Sequence, residues 1–488
     1  MLNLNELGNY REGNRLEAKK AAGGLPNSLW ATYSSFANTN GGVILLGVEE
    51  TIDKKLVAAG LNDPEKLVAD FWSAVNNSQK VNLNILLNKH VRIETVGNES
   101  IIVIEIPRAD RALKPIFLNE KPYAETYRRD GEGDYRCTRE VVEGMIRDKG
   151  DKTQDMLVLE KMPLTAFDYD SLQRYRKRMK ITRPGHVWGD LEDVEFLQKL
   201  GAIGIGEDDK RHPTAAGLLM FGFEYEITRE YPQYFLDYQE LYDADVRWTD
   251  RMTSSSGEWS GNLYDFFYKT YNSLIQNPNI KTPFMMKNGR DRLDDTLVHK
   301  ALREALANCL INADFYGTRG IVIRNHLDEI VIENPGSFRV SLNEALSGGI
   351  SSPRNSVIIK MFNLIDIGER SGSGVPLIYH AWKEQEWKAP IYTEQFGPDR
   401  TILKLSIKAQ NKAQNKAQNK AQTKRNYALL EDMVLEYLKE HPLATQVETA
   451  NAIGKSRRSV QVVITSLKER GLLEREGSKQ SGRWVAKD

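Results

Sequence analysis

The chain has 488 residues, of which 40% are hydrophobic and 27% charged, which predicts about three ordinary domains with several cores to bury. Lys+Arg and Asp+Glu each total 67, and this balance excludes a generally basic nucleic-acid coat. The strongest apolar run, nine residues at 215–223, is too short for a membrane span, and two cysteines, Cys137 and Cys309, exclude a disulfide framework or a cysteine metal site.

The chain opens polar, with no apolar signal segment, so a cytoplasmic protein is expected. Residues 1–150 read as α/β, with a helix near 25–38 and strands at 43–48, 91–95 and 101–107. Gly41-Gly42 break that helix and start a buried strand, Val43-Ile44-Leu45-Leu46. Three phrases occur in order: EGNRLEAKK (12–20), WATYSSFANTNGGVILLGVEE (30–50) and ETYRRDG (125–131). Together they resemble the Schlafen AlbA-like domain. The resemblance implies a nucleic-acid-binding domain; in some relatives a three-carboxylate cluster cleaves RNA with a divalent metal. Glu12 and Glu17 match the first two acids of that cluster, and Glu49-Glu50 stands where the third is expected, with Glu50 as the metal-ligand candidate. Lys19, Lys20, Arg128 and Arg129 would hold phosphate backbone, as basic side chains do without reading sequence. Three readings stay open: binding without cleavage, cleavage assisted by Mn²⁺, and a protein-contact surface.

Residues 155–290 read as a connecting α/β region. His212-Pro213-Thr214-Ala215-Ala216-Gly217-Leu218-Leu219 predicts close packing, and Tyr264, Phe266, Phe267, Tyr268 and Tyr271 predict core. The seven histidines are scattered without ligand spacing, so no zinc site is expected.

Residues 291–406 open with a long helix in which Glu304, Asn308 and Asn312 form a polar stripe at intervals of four. A hairpin follows, turning at Leu327-Asp328 and breaking at Asn334-Pro335-Gly336. Two glycine-bearing loops come next, SGGISSPRN (347–355) and IGERSGSGVPL (367–377). This order resembles the GHKL-type ATPase fold, in the divergent form found in RecG-related bacterial transcriptional regulators. The resemblance implies that Glu304 activates the attacking water and Asn308 ligates Mg²⁺. The types suit these roles: a carboxylate accepts a proton, and an amide oxygen is a hard ligand that adds no charge. Asn312, Asn334, Gly336, Gly372, Ser373 and Gly374 complete the expected ATP site, the last three bringing backbone N–H groups to phosphate at a helix start. Asn334 stands where typical members carry the adenine-reading aspartate, and Ile311 where they carry another acid. A scaffold that binds no nucleotide is the competing reading. No G-x-x-x-x-G-K-[ST] exists; at Gly454-Lys455-Ser456 the earlier glycine is Thr449, so no helicase motor is expected.

Residues 407–425 are a basic KAQN-repeat linker. From residue 408 onward sixteen basic and nine acidic residues give a net +7, leaving −7 on the first 407. Residues 426–488 predict three helices and a hairpin. Thr445 and Glu448 make a capping box, and Val460, Val463, Ile464 and Leu467 form the apolar stripe of the third helix. The tail resembles the winged helix-turn-helix of bacterial regulators. That implies DNA contact by Arg457, Arg458, Gln461, Lys479 and Arg483; a protein-contact module is the alternative.

The expected whole is a multidomain α+β protein: a Schlafen AlbA-like α/β domain, a GHKL-like α/β sandwich and a C-terminal winged helix. The expected function is an ATP-binding, DNA-binding transcriptional regulator whose nucleotide occupancy modulates nucleic-acid binding. Its partners would be DNA (RNA as second candidate), ATP with Mg²⁺, and a second copy of itself, with no membrane. The alternative is a metal-dependent nuclease with an ATP-sensing module.

Overall fold

The computed structural model describes residues 4–243, 246–280, 286–287, 291–292, 295–368, 372–408, 431, 434–439, 441–453, 457–476 and 483–486. The chain divides into two units, Met1–Ile407 and Lys408–Asp488.

In the first unit, β1 (Leu16–Lys19) runs parallel to β2 (Gly42–Leu46), and α1 (Ser28–Asn38) supplies the crossover that a parallel pair requires. The chain leaves α1 through Gly41 at φ 68°, a conformation that glycine adopts without steric cost. A Cβ there would lie 2.7 Å from the Ile106 carbonyl oxygen, and one on Gly42 2.7 Å from the Phe36 ring. A hairpin of β3 (Val48–Glu50) and β4 (Leu56–Ala58) follows. Then comes α2 (Pro64–Val75), capped by the Asp63 side chain accepting the Lys66 N–H. β5 (Val91–Val96) and β6 (Glu99–Ile106) complete a four-stranded sheet ordered β1-β2-β6-β5. Strand alternation divides its cores: Ile44, Leu46, Ile102 and Ile104 pack with α1 and α2, while Leu45, Ile101 and Val103 meet Leu7, Val48 and Leu56. The hairpin of β7 (Tyr127–Asp130) and β8 (Gly133–Arg136) lies against α1, and α3 (Arg139–Lys149) is capped by Thr138.

The next stretch contains α4 (Tyr169–Thr182), α5 (Asp193–Leu200), the hairpin β9 (Ile203–Ile205) and β10 (Arg211–Pro213), α6 (Ala215–Phe221) and α7 (Glu224–Glu230). The expected close packing lies at Gly217, where a Cβ would come 2.1 Å from the Ala202 carbonyl oxygen. β11 (Leu236–Leu241) and β12 (Asp250–Thr253) precede α8 (Leu263–Leu274) and a short pair, β13 (Met286–Lys287) and β14 (Asp291–Arg292). After α9 (Leu297–Asn312) come β15 (Ile321–His326), β16 (Glu329–Pro335), α10 (Leu342–Ser347), α11 (Ser356–Leu364), α12 (Gly374–Glu384), β17 (Ile391–Gln395) and β18 (Arg400–Ser406).

One sheet, ordered β12-β11-β15-β16-β18-β17, spans the sequence boundary expected at 290. Its residues share one core with α4 to α9, α11 and α12, reaching from Leu159 to Ile407. β11 pairs parallel with β15, so the middle stretch contributes a strand to the layer beneath α9. Tyr264, Phe266 and Phe267 are buried in that core, and Tyr268 and Tyr271 pack against it.

The second unit has helices through 434–439, Gln446–Ala452 and Arg457–Glu469, then β19 (Leu473–Glu476) paired antiparallel with β20 (Arg483–Ala486). Thr445 and Glu448 form the expected reciprocal cap, with bonds of 2.8 and 3.2 Å. Val460, Val463, Ile464 and Leu467 are all buried against Val434, Leu438 and Trp484. Gln461 and Arg483 are exposed, and Arg483 meets Glu476 at 2.9 Å. The side chains of Arg457 and Arg458, Lys479, and most of the linker lie outside the described residues. Among the described residues no helix is long and apolar enough to cross a membrane.

Candidate functional site

α9 begins with a capping box in which the Thr296 hydroxyl meets the His299 ring at 2.9 Å, which fixes the helix register. Its polar stripe is then an ordered ladder. Asn308 Nδ2 donates to Glu304 Oε1 at 3.2 Å, and Asn312 Nδ2 to the Asn308 carbonyl at 3.0 Å. Glu304 is buried, 7% exposed, and faces the first turn of α12. A Cβ on Gly374 would lie 2.1 Å from Glu304 Oε1 and 2.8 Å from Asn308 Nδ2, so α12 starts with glycine because the carboxylate and amide occupy that space. Gly372, at φ 70°, presses on the other glycine loop: its Cβ would meet the Ile350 carbonyl oxygen at 2.6 Å.

These groups surround one cavity of about 130 Å³. Glu304, Asn308, Asn312, Asn334, Gly372 and Gly374 all line it, with apolar walls from Ile332, Ile359, Val375, Tyr392 and Leu403. Asn334, at the end of β16, is buried and sits in register with Thr401, whose hydroxyl holds the Gly336 carbonyl at 2.9 Å. Burial, with smaller contributions from Tyr379 and then Glu304, drives the Tyr392 hydroxyl well above its ordinary pKa, keeping it a neutral donor. Apolar walls with a few converging polar groups suit a flat heterocycle. With Asn308 Nδ2 given to Glu304, its amide oxygen is the atom suited to a hard cation. Tyr392 and Thr401 escaped the sequence reading because both stand on strands after the glycine loops, in stretches without a distinctive pattern.

Gly336 belongs elsewhere. At φ 100° it passes beneath Arg354, where a Cβ would lie 2.2 Å from Nη1, and it lines a different cavity. Ser373 stands at the N-cap of α12 without a side-chain capping bond. Asp314 faces Arg147 at 3.0 Å, away from the stripe, and Ile311 is core.

The N-terminal candidates are arranged differently from expectation. Arg128 is buried and paired in bidentate fashion with Asp399, over the Phe396 ring. Arg129, 3% exposed, bridges Glu17 at 2.6 Å and Asp134 at 2.9 Å. Neither guanidinium therefore reaches a phosphate backbone: both are counter-ions within the fold. Lys19 pairs with Glu17 at 2.8 Å, and Lys20, the exposed member, with Glu49 at 2.6 Å. Glu12 accepts the Ala18 N–H at 2.9 Å. Burial, first, raises the Glu12 pKa; the Ala18 bond opposes this, and the charges of Glu17 and Glu50 add to it. Among the described residues no group of three or more His, Cys, Asp or Glu side chains is placed to hold a metal ion, so Glu12, Glu17 and Glu50 do not form the expected cluster. Glu17 is turned instead to Arg129 and Lys19, and Glu49 to Lys20.

Residues 12–138 match the family described as Schlafen, AlbA_2. Residues 319–399 match "Putative ATP-dependent DNA helicase recG C-terminal", and residues 143–237 a domain of unknown function, DUF8451. No curated protein matches the chain. The DIP2311 protein from Corynebacterium diphtheriae is 17% identical, covering 97% of this chain and 92% of that one at a TM-score of 0.41. The N-terminal domain of a "Putative ATP-dependent DNA Helicase RecG-related Protein" from Nitrosomonas europaea is 31% identical over 28% of this chain and 90% of its own, at a TM-score of 0.22. The chain is thus similar to nucleic-acid-related domains in its N-terminal block and in the sheet beside the cavity. Glu304 and Asn308 precede the matched 319–399 segment, so their assignment rests on the cavity itself.

Proposed function

We propose that this protein binds ATP with Mg²⁺ in the α9–α12 cavity and binds DNA through its C-terminal unit, as a transcriptional regulator. The observation that carries this reading is the convergence of Glu304, Asn308, Asn334, Gly372 and Gly374 on one cavity. The base would lie against Ile332 and Leu403 near Asn334, whose amide oxygen accepts from an amine but lacks the charge of an aspartate. The phosphates would meet the N-terminal turn of α12, where backbone N–H groups and the helix dipole favour anions. Glu304 already lies against that turn, so phosphate binding and the present position of this carboxylate compete. That competition gives nucleotide occupancy a physical means of moving α12, and a ligand shifts a conformation only by its differential affinity for the two states.

The experiment is titration of Mg-ATP into the full chain and into Asn308→Ala by calorimetry. Loss of the metal ligand is expected to weaken Mg-ATP at least tenfold while leaving metal-free ADP within about twofold. Unchanged Mg-ATP affinity removes the assignment. Among the described residues the nuclease alternative finds no assembled metal-holding group, and incubation with tRNA and Mn²⁺ is its direct test.

A further inference from the structure

A second cavity, of about 370 Å³, lies within the first unit between the N-terminal block and the 314–354 region. That volume falls in the range of small-molecule sites. Its walls come from residues 108–114, from α3, from the turn after α9 and from the segment 336–339. Eight of its lining residues are Lys or Arg and four are Asp or Glu.

Most of those acids are already spent. Asp399 takes Arg128, Asp148 takes Arg354 at 2.7 and 2.9 Å, and Asp314 takes Arg147 at 3.0 Å. Arg108 is satisfied from outside the lining by Glu394, at 2.6 and 3.0 Å. Glu140, the fourth acid, is exposed on the first turn of α3. Four cations remain: Arg111, Lys114, Arg319 and Arg339.

Neutral oxygens hold three of them in place. Arg339 donates to the Pro353 carbonyl at 2.6 Å and lies 4.0 Å from the already bidentate Asp148. Arg111 donates to the Asp148 backbone carbonyl at 2.8 Å and to the Ser352 hydroxyl at 3.3 Å. Lys114 donates to the Asn38 carbonyl at 2.8 Å. Carbonyls fix the direction of a cation without cancelling its charge. Arg339 and Lys114 are both at least nine-tenths buried, where an uncompensated charge is costly. Burial first, then neighbouring arginines, pushes the Arg339 pKa down to about 10 and the Lys114 pKa well below the usual lysine range, and the nearby acids (Asp148 and Asp110 for Arg339, Glu394 and Asp399 for Lys114) offset this only in part. Cations in excess of their acids, two of them buried and three held in direction, suit an anion, and guanidinium forks match phosphoryl oxygens.

We propose that this junction cavity binds a small phosphorylated compound carrying at least two negative charges, with Arg111, Lys114 and Arg339 as its anchors and Arg319 at the exposed rim. This site is separate from the α9–α12 cavity, though Ser337, Phe338 and Arg339 line both. The walls, contributed by separate stretches of chain, favour a compact ligand over a continuous polynucleotide strand. Because those walls belong to both blocks, occupancy would stiffen the junction and press on the 337–339 segment shared with the other cavity.

The test uses inorganic pyrophosphate on the full chain, by calorimetry and thermal shift at matched ionic strength. Binding in the micromolar range and a higher Tm are expected, with at least a tenfold loss of affinity in Arg111→Gln/Arg339→Gln. Should that variant misfold by circular dichroism, Arg111→Gln and Arg319→Ala singly are each expected to weaken binding several-fold. A pyrophosphate effect no greater than that of sodium chloride overturns the proposal. So does binding that survives the double substitution but is lost in Asn308→Ala, which puts the anion in the other cavity. Retention of a phosphate-free-ended oligonucleotide at this site in place of pyrophosphate overturns it equally.

Discussion

Glu12 accepts the Ala18 N–H at 2.9 Å, yet burial and the charges of Glu17 and Glu50 hold its pKa above the ordinary glutamate value. The sign of the consequence follows from linkage: an acid whose folded pKa is raised binds its proton more tightly in the native state. The penalty of its charge is absent below the unfolded value of about 4.3, builds as pH rises to the folded value, and is complete above that. Glu12→Gln keeps an oxygen for Ala18 and removes the charge, so it should stabilise the chain at pH 7. The gain should shrink on acidification and vanish below about pH 4. Urea unfolding across that pH range measures it, and a loss of stability at pH 7 would mean that the ionised carboxylate serves the fold or a metal. At this scale the sequence was legible where one short periodicity sufficed. Glu304, Asn308 and Asn312 share a cavity because four-residue spacing on a helix places them together. It was illegible where a partner lies far along the chain: Arg128 reads as a surface cation until Asp399, 271 residues away, neutralises it. Arg354 likewise depends on Asp148, 206 residues away.

Helix α11 shows how an element can depend on a residue outside it. Its own N-cap, Asn355, makes no side-chain capping bond; that side chain is turned back to the carbonyls of Ile311 and Ala313. The cap is supplied by Asp155, which accepts the N–H groups of Val357 at 2.7 Å and Ile358 at 3.0 Å. Asp155 is itself buried, so Asp155→Ala removes the acceptor and leaves two helix-start donors unpaired in a dry environment. A cost of about 1–2 kcal/mol is expected, the upper range for cap deletions. Hydrogen exchange should locate it, with protection lost first at the amides of residues 357–359, the turn that carries Ile359 into the α9–α12 cavity. Loss spread evenly over the whole unit would show instead that Asp155 acts on the fold generally. Strands and helices with strong patterns, such as β6, α9 and the Val460–Leu467 stripe, stood out in the sequence. Remote capping did not, because nothing local marks Asp155 as belonging to a helix that starts 200 residues later. The role of β11 was hidden for the same reason: its six residues pair with β15 across the expected boundary.

Across the whole molecule, charge is separated along the chain, with +7 from residue 408 onward and −7 before it. The structure sharpens that separation, since Arg128 and Arg129 are consumed inside the first unit and cannot serve as phosphate contacts. Non-specific nucleic-acid affinity should therefore reside mainly in the second unit, which begins with the basic repeat. Each phosphate neutralised contributes about 0.9 to the slope of log K against log salt for duplex DNA. If the linker and helix start supply three to five contacts, the full chain should show a slope of roughly −3 to −4.5. A chain ending at residue 407 should fold, because its cores are complete without the tail, and its slope should fall to near zero. Substituting the six basic residues of 408–425 with glutamine separates the two contributors: a slope reduced by several units assigns the grip to the linker, and an unchanged slope assigns it to the helix and hairpin. A truncated chain that keeps the full slope would instead return nucleic-acid binding to the N-terminal block, where Lys20 is the exposed cation left to carry it among the four proposed there.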